Sequence, residues 1–283
     1  MMDASLPAAP RVSVVIPAYN NARDIEATMH SVLRQDYRDF EVVIADHASS
    51  DGTAEVIARF ADDPRVRILS PTPAGGGAMA NWSRVAAHAR GELLKLLCGD
   101  DLITPDALRQ QVAAFDAHPD AVLVACRRNL VDAAGRELLA ARGLAGLRGR
   151  VDGAQAVCAS ILAGTNIFGE PGCVMMRRDV FERVGGWDDR FPYLIDQASY
   201  SRVMMEGSMV ALDAVQASFR ISATQWSVRL VKQQSSQAIA FHEDFHARYP
   251  DLLSKAQLRR GNRRATWMAY ARRLAYLWLR RRM

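Results

Sequence analysis

The sequence predicts an α/β fold in which a mostly parallel sheet is flanked by helices. Short apolar segments alternate with segments whose apolar residues recur at helical spacing, most clearly before residue 126. The chain has 283 residues, of which 49% are hydrophobic and 24% charged, so it can bury a large core. Because parallel strands are joined by helical crossovers, this alternation favours a parallel sheet.

The first half of the chain gives the clearest elements. Strands are predicted at 12–16, 41–45, 66–69, 93–97 and 121–126. The helices between them are predicted at 25–32, 53–60, 78–89 and 105–115. Thr53 and Thr104 are the expected N-caps, and Pro105 is expected at the first position of its helix.

The second half is less regular, and its expected elements lie further apart. They are a helix near 154–162, a strand at 172–176, a short helix at 180–184, a helix at 200–206 and an edge strand at 208–212. The rest of the segment 129–164 is expected to be irregular. Beyond residue 224 the pattern is helical to the end.

Charge is distributed unevenly along the chain. The net charge is +5, yet the segment 252–283 holds ten basic residues and no acidic one, which leaves 26 basic and 31 acidic residues elsewhere. An acidic body argues against nucleic acid as a partner, and the basic tail predicts an anionic partner of its own. The cysteines are scattered singly, and no signal peptide or membrane-spanning segment is recognised. We therefore expect a cytoplasmic protein with reduced thiols.

The most informative feature is the pair of adjacent carboxylates Asp100 and Asp101. They follow the apolar segment 93–97 and precede a helix, so they are expected at the carboxyl edge of the sheet, where open α/β sheets bind ligands. Neighbouring carboxylates repel each other unless a cation lies between them and an anionic substrate. The pair predicts a divalent metal ion that bridges to a diphosphate. The alternative is a capped turn of solvated acids.

Polar residues also follow the first two strands. Tyr19 and Asn20 come after the first strand, and Asp46 ends the second. Asp46 can accept a hydrogen bond from a nucleobase N–H, and Tyr19 offers an apolar face beside it. Together with the carboxylate pair they predict a site for a nucleoside diphosphate. Ordinary packing of Tyr19 and a turn role for Asp46 are the alternatives.

Several ordered motifs resemble glycosyltransferase family 2. They are Val-Val-Ile-Pro-Ala-Tyr-Asn at 14–20, Val-Ile-Ala-Asp-His-Ala-Ser-Ser-Asp-Gly-Thr at 43–53, and the segment 81–101. The resemblance continues in Asn-Ile-Phe-Gly-Glu-Pro-Gly at 166–172, Met-Arg-Arg at 176–178, Gly-Gly-Trp-Asp-Asp at 185–189 and Ile-Asp at 195–196.

The resemblance implies a domain organisation. The nucleotide-sugar-binding fold called GT-A would span residues 10–225, with a donor half at 10–126 and an acceptor half at 127–225. A basic, amphipathic helical extension would occupy 226–283.

The resemblance also implies roles for the donor residues. Pro17, Tyr19 and Asp46 correspond to the pocket for base and ribose, with Asn20 beside it. His47 and Ala48 depart from the usual Asp and Gly of that motif, so base recognition can differ from that of relatives.

Further roles implied by the resemblance concern the metal and the reaction. Asp100 corresponds to the acid near the ribose and metal, and Asp101 to the acid that ligates Mn²⁺ or Mg²⁺. Asp196 corresponds to the general base that deprotonates the acceptor hydroxyl, although a helix acid stabilised by the helix dipole is the alternative. A single base opposite the leaving group implies inversion at the anomeric carbon. Cys98 replaces the first acid of the metal motif, and Ser222 stands where relatives often have His.

Three residues are expected to border the donor sugar or acceptor cleft: Glu170, Trp187 and Asp188. For Trp187 the alternative is a turn anchored by a buried indole.

Two other features point elsewhere. The segment 242–246, His-Glu-Asp-Phe-His, fits the zinc protease signature. No His or Glu follows it to serve as a third ligand, and the only later Asp is Asp251, so a packed or solvated helix is preferred. Apolar residues of the tail recur at helical spacing between Trp267 and Trp278, with most arginines off that face. The segment 263–282 therefore predicts either binding to an anionic membrane surface or docking on the domain through its aromatics.

We therefore expect a metal-dependent, inverting glycosyltransferase, cytoplasmic or peripheral on the inner face of the membrane. It would move a sugar from a nucleotide sugar to a glycan or lipid-linked acceptor in cell-surface polysaccharide synthesis. A degenerate nucleotide-binding scaffold and a nucleotidyltransferase of similar fold are the alternatives.

Overall fold

The computed structural model describes residues 9–71, 75–222, 228 and 230–279, and all structural statements below refer to this part of the chain. The strands are β1 (Val12–Ala18), β2 (Phe40–Asp46), β3 (Val66–Ile68), β4 (Leu93–Leu96), β5 (Leu102–Ile103), β6 (Ala121–Val131), β7 (Glu137–Arg142), β8 (Gly149–Asp152), β9 (Val174–Arg177) and β10 (Ser208–Arg220). The helices are α1 (Ile25–Leu33), α2 (Thr53–Ala58), α3 (Gly77–Ala87), α4 (Ala107–Ala117), α5 (Gly153–Ala163), α6 (Arg178–Arg183), α7 (Ile195–Met204), α8 (Gln234–Arg248) and α9 (Lys255–Leu279).

The predicted α/β architecture is confirmed. The described strands form one sheet in the order β3-β2-β1-β4-β9-β6-β10-β5, with β7 added to β6 and β8 added to β10. β1 to β4 are parallel to one another, and β6 is parallel to β10. Between these two parallel groups runs β9, antiparallel to both of its neighbours.

The parallel part of the sheet is buried, as its continuous apolar runs predict. Every residue of β1, β2 and β4 is buried, which is typical of parallel strands covered by helices. The register pairs Ala18 with Asp46 and Val15 with Leu96. The carboxyl ends of these three strands therefore meet at one edge of the sheet.

Two predicted helix caps are wrong. Thr104 and Pro105 precede α4, whose N-cap is Asp106, because β5 pairs with β10 and keeps the chain extended up to this point. Thr53 is the first residue of α2 rather than its cap. The cap position is taken by Gly52 with a φ of 88°, a conformation that favours glycine.

The second half contains more sheet than its sequence indicates. β7 and β8 lie in the segment expected to be irregular, and most of their residues are partly or fully exposed, so no buried apolar run marked them. The expected helix of this segment is confirmed as α5. The predicted edge strand at 208–212 is wrong: β10 has 13 residues and lies between β6 and β5. α7 begins at Ile195, earlier than predicted.

The C-terminal helices pack closely on the rest of the protein. α9 contacts α8 and α5. A Cβ on Gly261 would lie 2.6 Å from the carbonyl oxygen of Ile161, and one on Gly164 would lie 2.4 Å from the Ala265 nitrogen. Small residues therefore permit the close approach of α9 to α5. Residues 226, 227, 229 and 280–283 of the predicted extension lie outside the described residues.

The expectation that α9 docks through its aromatics is wrong. The helix buries Gly261, Ala265 and Ala269 instead, whereas Trp267 and Trp278 are 67% and 76% exposed. Within the described ranges, no helix is both long and apolar enough to cross a bilayer.

The His-Glu-x-x-His motif lies on α8 and contributes to helix packing. His242 is buried, and its Nδ1 lies 2.9 Å from Oδ1 of Asn262 on α9. Burial lowers the pKa of His242. In the part of the chain that the structure describes, no three or more His, Cys, Asp and Glu side chains form a group that could hold a metal ion.

Candidate active site

The predicted donor residues lie along the edge where β1, β2 and β4 end. Pro17 is buried within β1, opposite Ala45 of β2. Asp46 is the last residue of β2 and is 8% exposed, whereas Tyr19, just beyond β1, is 50% exposed. The structure thus brings these three residues to one edge, with an accessible aromatic ring beside a buried carboxylate.

Hydrogen bonds join the loops after β1 and β2. The Asn20 backbone N–H donates to Ser49 Oγ (2.8 Å), and the Ser50 N–H donates to Asn20 Oδ1 (2.9 Å). Asp46 accepts hydrogen bonds from the backbone N–H (3.1 Å) and the hydroxyl of Ser49. Asn20 has a φ of 51°, which Asn tolerates better than most residues. Asp46 is therefore oriented by its own turn.

His47, which departs from the family pattern, connects this edge of the sheet to Gly75, two residues before α3. Its Nε2 lies 2.8 Å from the carbonyl oxygen of Gly75. The His47 ring also meets the Tyr19 ring edge-on, with centroids 6.4 Å apart. Gly75, two residues before α3, is consequently held beside the predicted base pocket.

The carboxylates Asp100 and Asp101 follow β4 in a tight turn. A Cβ on Gly99 would lie 2.7 Å from Oδ1 of Asn21, so this position favours glycine. Asp101 is buried, and its Oδ1 accepts the Arg220 backbone N–H at 3.0 Å. Arg220 Nε donates to the Asp100 carbonyl oxygen at 3.1 Å. Since Arg220 ends β10, it joins the carboxylate pair to the second half of the chain.

The electrostatics of this pair fit a divalent cation. Burial raises the pKa of Asp100 to about 6, and the charge of Asp24 adds to the rise. Burial and the charge of Asp100 raise the pKa of Asp101 well above its usual range. A half-buried and a buried acid that resist ionisation together become compatible with a full negative charge when a cation binds them. Two carboxylates completed by phosphate oxygens and water are a common Mg²⁺ ligand set.

On the other side of the site, Asp196 lies in the first turn of α7. Its Oδ2 accepts a hydrogen bond from Asn166 Nδ2 (2.9 Å), and its Oδ1 accepts one from the Gln197 backbone N–H (2.7 Å). Burial raises the pKa of Asp196 to about 7, and the negative charge of Glu170 contributes to the rise. A carboxyl group with a pKa near neutrality can accept a proton from a substrate at physiological pH.

Glu170 is held by a buried arginine. Arg128 Nη2 on β6 donates to Glu170 Oε1 at 2.9 Å, and Arg128 Nε forms a second, close ion pair with Oε2. Burial opposes the charge of Arg128, but Glu170 outweighs burial and raises the pKa of Arg128. This two-point pairing fixes the orientation of Glu170.

The carboxylates of both sides of the site influence Cys98 electrostatically. Burial raises the pKa of the Cys98 thiol well above its usual range. The same pKa is raised by the negative charge of four carboxylates, Asp101, Asp100, Asp196 and Glu170. Carboxylates that follow β4, lie in the first turn of α7 and lie in the loop before β9 are therefore within electrostatic reach of the same thiol.

Trp187 and Asp188 occupy a buried region beside this site. The Trp187 ring packs against Trp82 and Phe181, with centroid distances of 5.0 and 4.9 Å. Asp188 accepts hydrogen bonds from Arg190 Nε (3.0 Å) and Nη2 (2.7 Å). Burial favours a raised pKa for Asp188, but the Arg190 contacts outweigh burial and lower it. The packing alternative accounts for Trp187, and contact of either residue with a sugar stays a prediction.

Several residues that organise the site were not singled out from the sequence. Asn81 Nδ2 donates to the carbonyl oxygens of Ala18 (3.2 Å) and Ala45 (3.1 Å), which holds the ends of β1 and β2 together. Arg128, Asn166 and Arg220 position carboxylates. Asn166 belongs to a motif noted above, but its partner lies 30 positions away, so no local pattern indicated the contact.

Comparison with protein families gives a match to the model of glycosyl transferase family 2 over residues 13–185. An uncharacterized protein of Mycobacterium tuberculosis is 32% identical over 208 residues, which are 72% of this chain and 65% of that protein. Hyaluronan synthase of Pasteurella multocida is 40% identical over 114 residues, 40% of this chain and 12% of the synthase. The chain thus spans less than two thirds of these relatives.

Among solved structures, a mannosyltransferase of Pyrobaculum calidifontis in complex with GDP-Man and Mn²⁺ has a similar fold. The TM-score is 0.66 at 20% sequence identity, and the match covers 96% of this chain and 76% of the mannosyltransferase. The likeness extends across both halves of the sheet and confirms the expected GT-A fold.

Proposed function

Because the chain belongs to glycosyl transferase family 2, we propose that it transfers a sugar from a nucleoside diphosphate sugar to an acceptor hydroxyl. The observation that carries the proposal is the position of Asp100 and Asp101 just beyond β4 at the carboxyl edge of the sheet, where Asp101 Oδ1 accepts the Arg220 backbone N–H. Residues 10–126 bind the donor, residues 127–225 form the acceptor side, and residues 226–283 are an extension.

The donor nucleoside binds at the ends of β1 and β2. Tyr19 presents an exposed ring on which a base can stack, and Asp46 lies beside it as a hydrogen-bond acceptor. Pro17 and Asn20 shape the floor and rim of this pocket. The preformed hydrogen bonds between the two loops limit the entropy lost on binding.

Asp100 and Asp101 would hold Mn²⁺ or Mg²⁺ at the diphosphate. When bound, the ion offsets the charge that develops on the departing nucleoside diphosphate. The protein contributes a buried turn at Gly99 and the Arg220 backbone N–H, which orient the two carboxylates.

Asp196 is the general base. It takes the proton of the acceptor hydroxyl while the oxygen attacks the anomeric carbon on the face opposite the leaving diphosphate, so the configuration inverts. Asn166 and the Gln197 N–H orient its carboxylate, and the pKa near 7 gives it basicity suited to neutral pH. Glu170, fixed by Arg128, lines the sugar cleft.

The acceptor is a glycan or a lipid-linked saccharide of a cell-surface polysaccharide. Support comes from the partial match to hyaluronan synthase and from the basic C-terminal extension.

The test is release of nucleoside diphosphate from a panel of UDP-, GDP- and dTDP-sugars with Mn²⁺, with saccharide acceptors present and absent. One donor used in an acceptor-dependent way, with NMR showing an inverted anomeric centre, supports the proposal. Binding of a nucleotide without turnover of any donor contradicts it and favours a nucleotide-binding scaffold. Retention of configuration contradicts the role of Asp196.

A further inference from the structure

The long C-terminal helix α9 has two chemically different sides. Its inner side is made of small residues, Gly261, Ala265 and Ala269, and lies against α5. Its outer side carries five large apolar residues that are 59% to 76% exposed: Trp267, Tyr270, Leu274, Leu277 and Trp278. Because these residues recur every three or four positions, they form one continuous stripe along the helix. We call this stripe the apolar face.

Basic residues extend the same side of the helix toward its N-terminus. Arg259, Arg260 and Arg263 are exposed there, one to two turns before Trp267. Arg273 lies over the ring of Tyr270, with its guanidinium 5.4 Å from the ring centroid. The sequence contains no acidic residue from 252 to 283. The outer side is therefore apolar toward one end, basic toward the other, and without negative charge.

The inner side connects α9 to the segment that holds Asp196. Arg272 Nη1 lies 3.3 Å from Thr165 Oγ1, and Thr165 immediately precedes Asn166, the hydrogen-bond partner of Asp196. The Arg272 guanidinium also lies over the ring of Tyr193, 5.6 Å from its centroid. The helix with the apolar face is thus packed directly beside the proposed acceptor side.

We propose that the apolar face and its neighbouring arginines bind the surface of an anionic lipid bilayer. Trp and Tyr rings favour the boundary between headgroups and acyl chains, and arginines nearby are attracted to anionic headgroups. Through the Arg272 contacts this attachment holds the acceptor side next to the bilayer, where a lipid-linked saccharide is located. The placement of the acceptor side next to a lipid-linked saccharide rests on the proposed transferase function, whereas the binding of the bilayer surface does not.

A second copy of the chain fits this face less well. A parallel pairing of two such helices would bring the arginines of one copy close to those of the other, and an antiparallel pairing would set them against apolar residues, in both cases without any acid on the segment to offset them. Anionic lipid supplies the missing negative charge.

The test is sedimentation of the full chain with vesicles of phosphatidylcholine alone or with about 30% phosphatidylglycerol added. The apolar variant is Trp267→Ser/Leu274→Ser/Trp278→Ser, and its control is Leu139→Ser, which alters a 51% exposed leucine on β7. The charge variant is Arg259→Gln/Arg260→Gln/Arg263→Gln, and its control is Arg148→Gln, whose side chain is 71% exposed.

The wild type and both controls are expected to bind the anionic vesicles at least about tenfold more strongly than the neutral ones, and to lose binding as salt is raised. Each triple variant is expected to lose about tenfold or more of this binding. Wild-type protein that does not sediment with anionic vesicles, or variants that bind as well as the controls, would overturn the proposal.

Light scattering and nucleotide titration separate the remaining outcomes. A wild-type dimer that the apolar variant dissociates, with no vesicle binding, would assign the face to a second copy and overturn the proposal. Vesicle binding that persists in a protein without nucleotide affinity would support the surface and contradict the transferase function. Equal nucleotide affinity in all variants shows that each remains folded.

Discussion

The donor edge and the acceptor side of the site are both built around carboxylates, but they are assembled differently. Asp46 is oriented by Ser49, three residues further along the same turn. Asp196 is oriented by Asn166, 30 positions earlier in the chain. The Asp46 carboxylate is therefore held by a local turn that a short motif encodes, whereas the Asp196 carboxylate depends on packing between distant segments.

The two sides also differ in how burial is compensated. Asp196 receives two hydrogen bonds, yet burial and the charge of Glu170 still hold its pKa at about 7. Glu170 itself is matched by Arg128 at two points. The acceptor side thus pairs one carboxylate with an arginine and leaves another ready to gain or lose a proton, which is the arrangement a general base requires.

The largest expected effect comes from removing the base. Asp196→Asn keeps the shape of the side chain but cannot accept the proton, so kcat is expected to fall about 10²–10⁴-fold. Nucleotide affinity should be unchanged, because the donor edge is built separately. The melting temperature should change little, because removal of a carboxyl group that burial disfavours when ionised offsets the loss of one of the two hydrogen bonds that Asp196 accepts. The exposed Asp189→Asn is the matched control. Equal loss of nucleotide affinity would contradict the division into two sides.

Breaking the buried pair is expected to affect stability most. Arg128→Met leaves Glu170 without its cation, and removing one partner of a buried ion pair typically costs about 3–5 kcal/mol. Urea denaturation measures the loss. The double variant Arg128→Met/Glu170→Gln should recover part of it, because no unpaired charge remains. A stability close to the wild type for the single variant would show that the pair is not desolvated.

A smaller effect is expected at the donor edge. Asp46→Ala removes a charged acceptor of the base, so nucleotide affinity should fall about tenfold, within the range of hydrogen bonds to charged groups. The pH dependence of turnover should not change. Calorimetry measures the nucleotide affinity, and a pH series measures the pH dependence of turnover. The exposed Asp62→Ala is the control. A displaced pH profile would mean that the two sides are electrostatically coupled through Asp46.

The smallest expected effect is a shift in the pH dependence of turnover. Wild-type turnover should fall about tenfold per pH unit below an apparent pKa of about 7, because Asp196 must be deprotonated to act. The Asn166 amide stabilises the charged form and so lowers the pKa. Asn166→Ala should therefore move the acid limb to higher pH, by less than one unit. A shift to lower pH would contradict this account of the hydrogen bond.

The contrast between local turns and contacts of distant segments also explains which features the sequence could predict. Pro17, Tyr19, Asp46 and the Asp100–Asp101 pair follow apolar segments, and parallel strands bring their carboxyl ends to one edge, so their placement was confirmed. Strand β7, with its exposed side chains, had no such signal.

The sequence patterns did not predict the long-range contacts. Neither the pairing of Arg128 with Glu170 nor the hydrogen bond from Asn166 to Asp196 has a local signature. On α9, periodicity predicted the aromatic stripe, but the burial of its small residues depends on Gly164 of a distant segment. Sequence therefore placed the stripe on one side of a helix without telling which side packs on the protein.

The central claim is that one edge binds the metal and nucleotide while the opposite side carries the base. Calorimetric titration of UDP, GDP and dTDP with and without Mn²⁺ into wild type, Asp101→Asn and Asp196→Asn tests it most directly. We expect one nucleotide to bind in a metal-dependent way to the wild type and to Asp196→Asn, and to lose that dependence in Asp101→Asn. Absence of nucleotide binding in the wild type, or its loss in Asp196→Asn alone, would contradict the account.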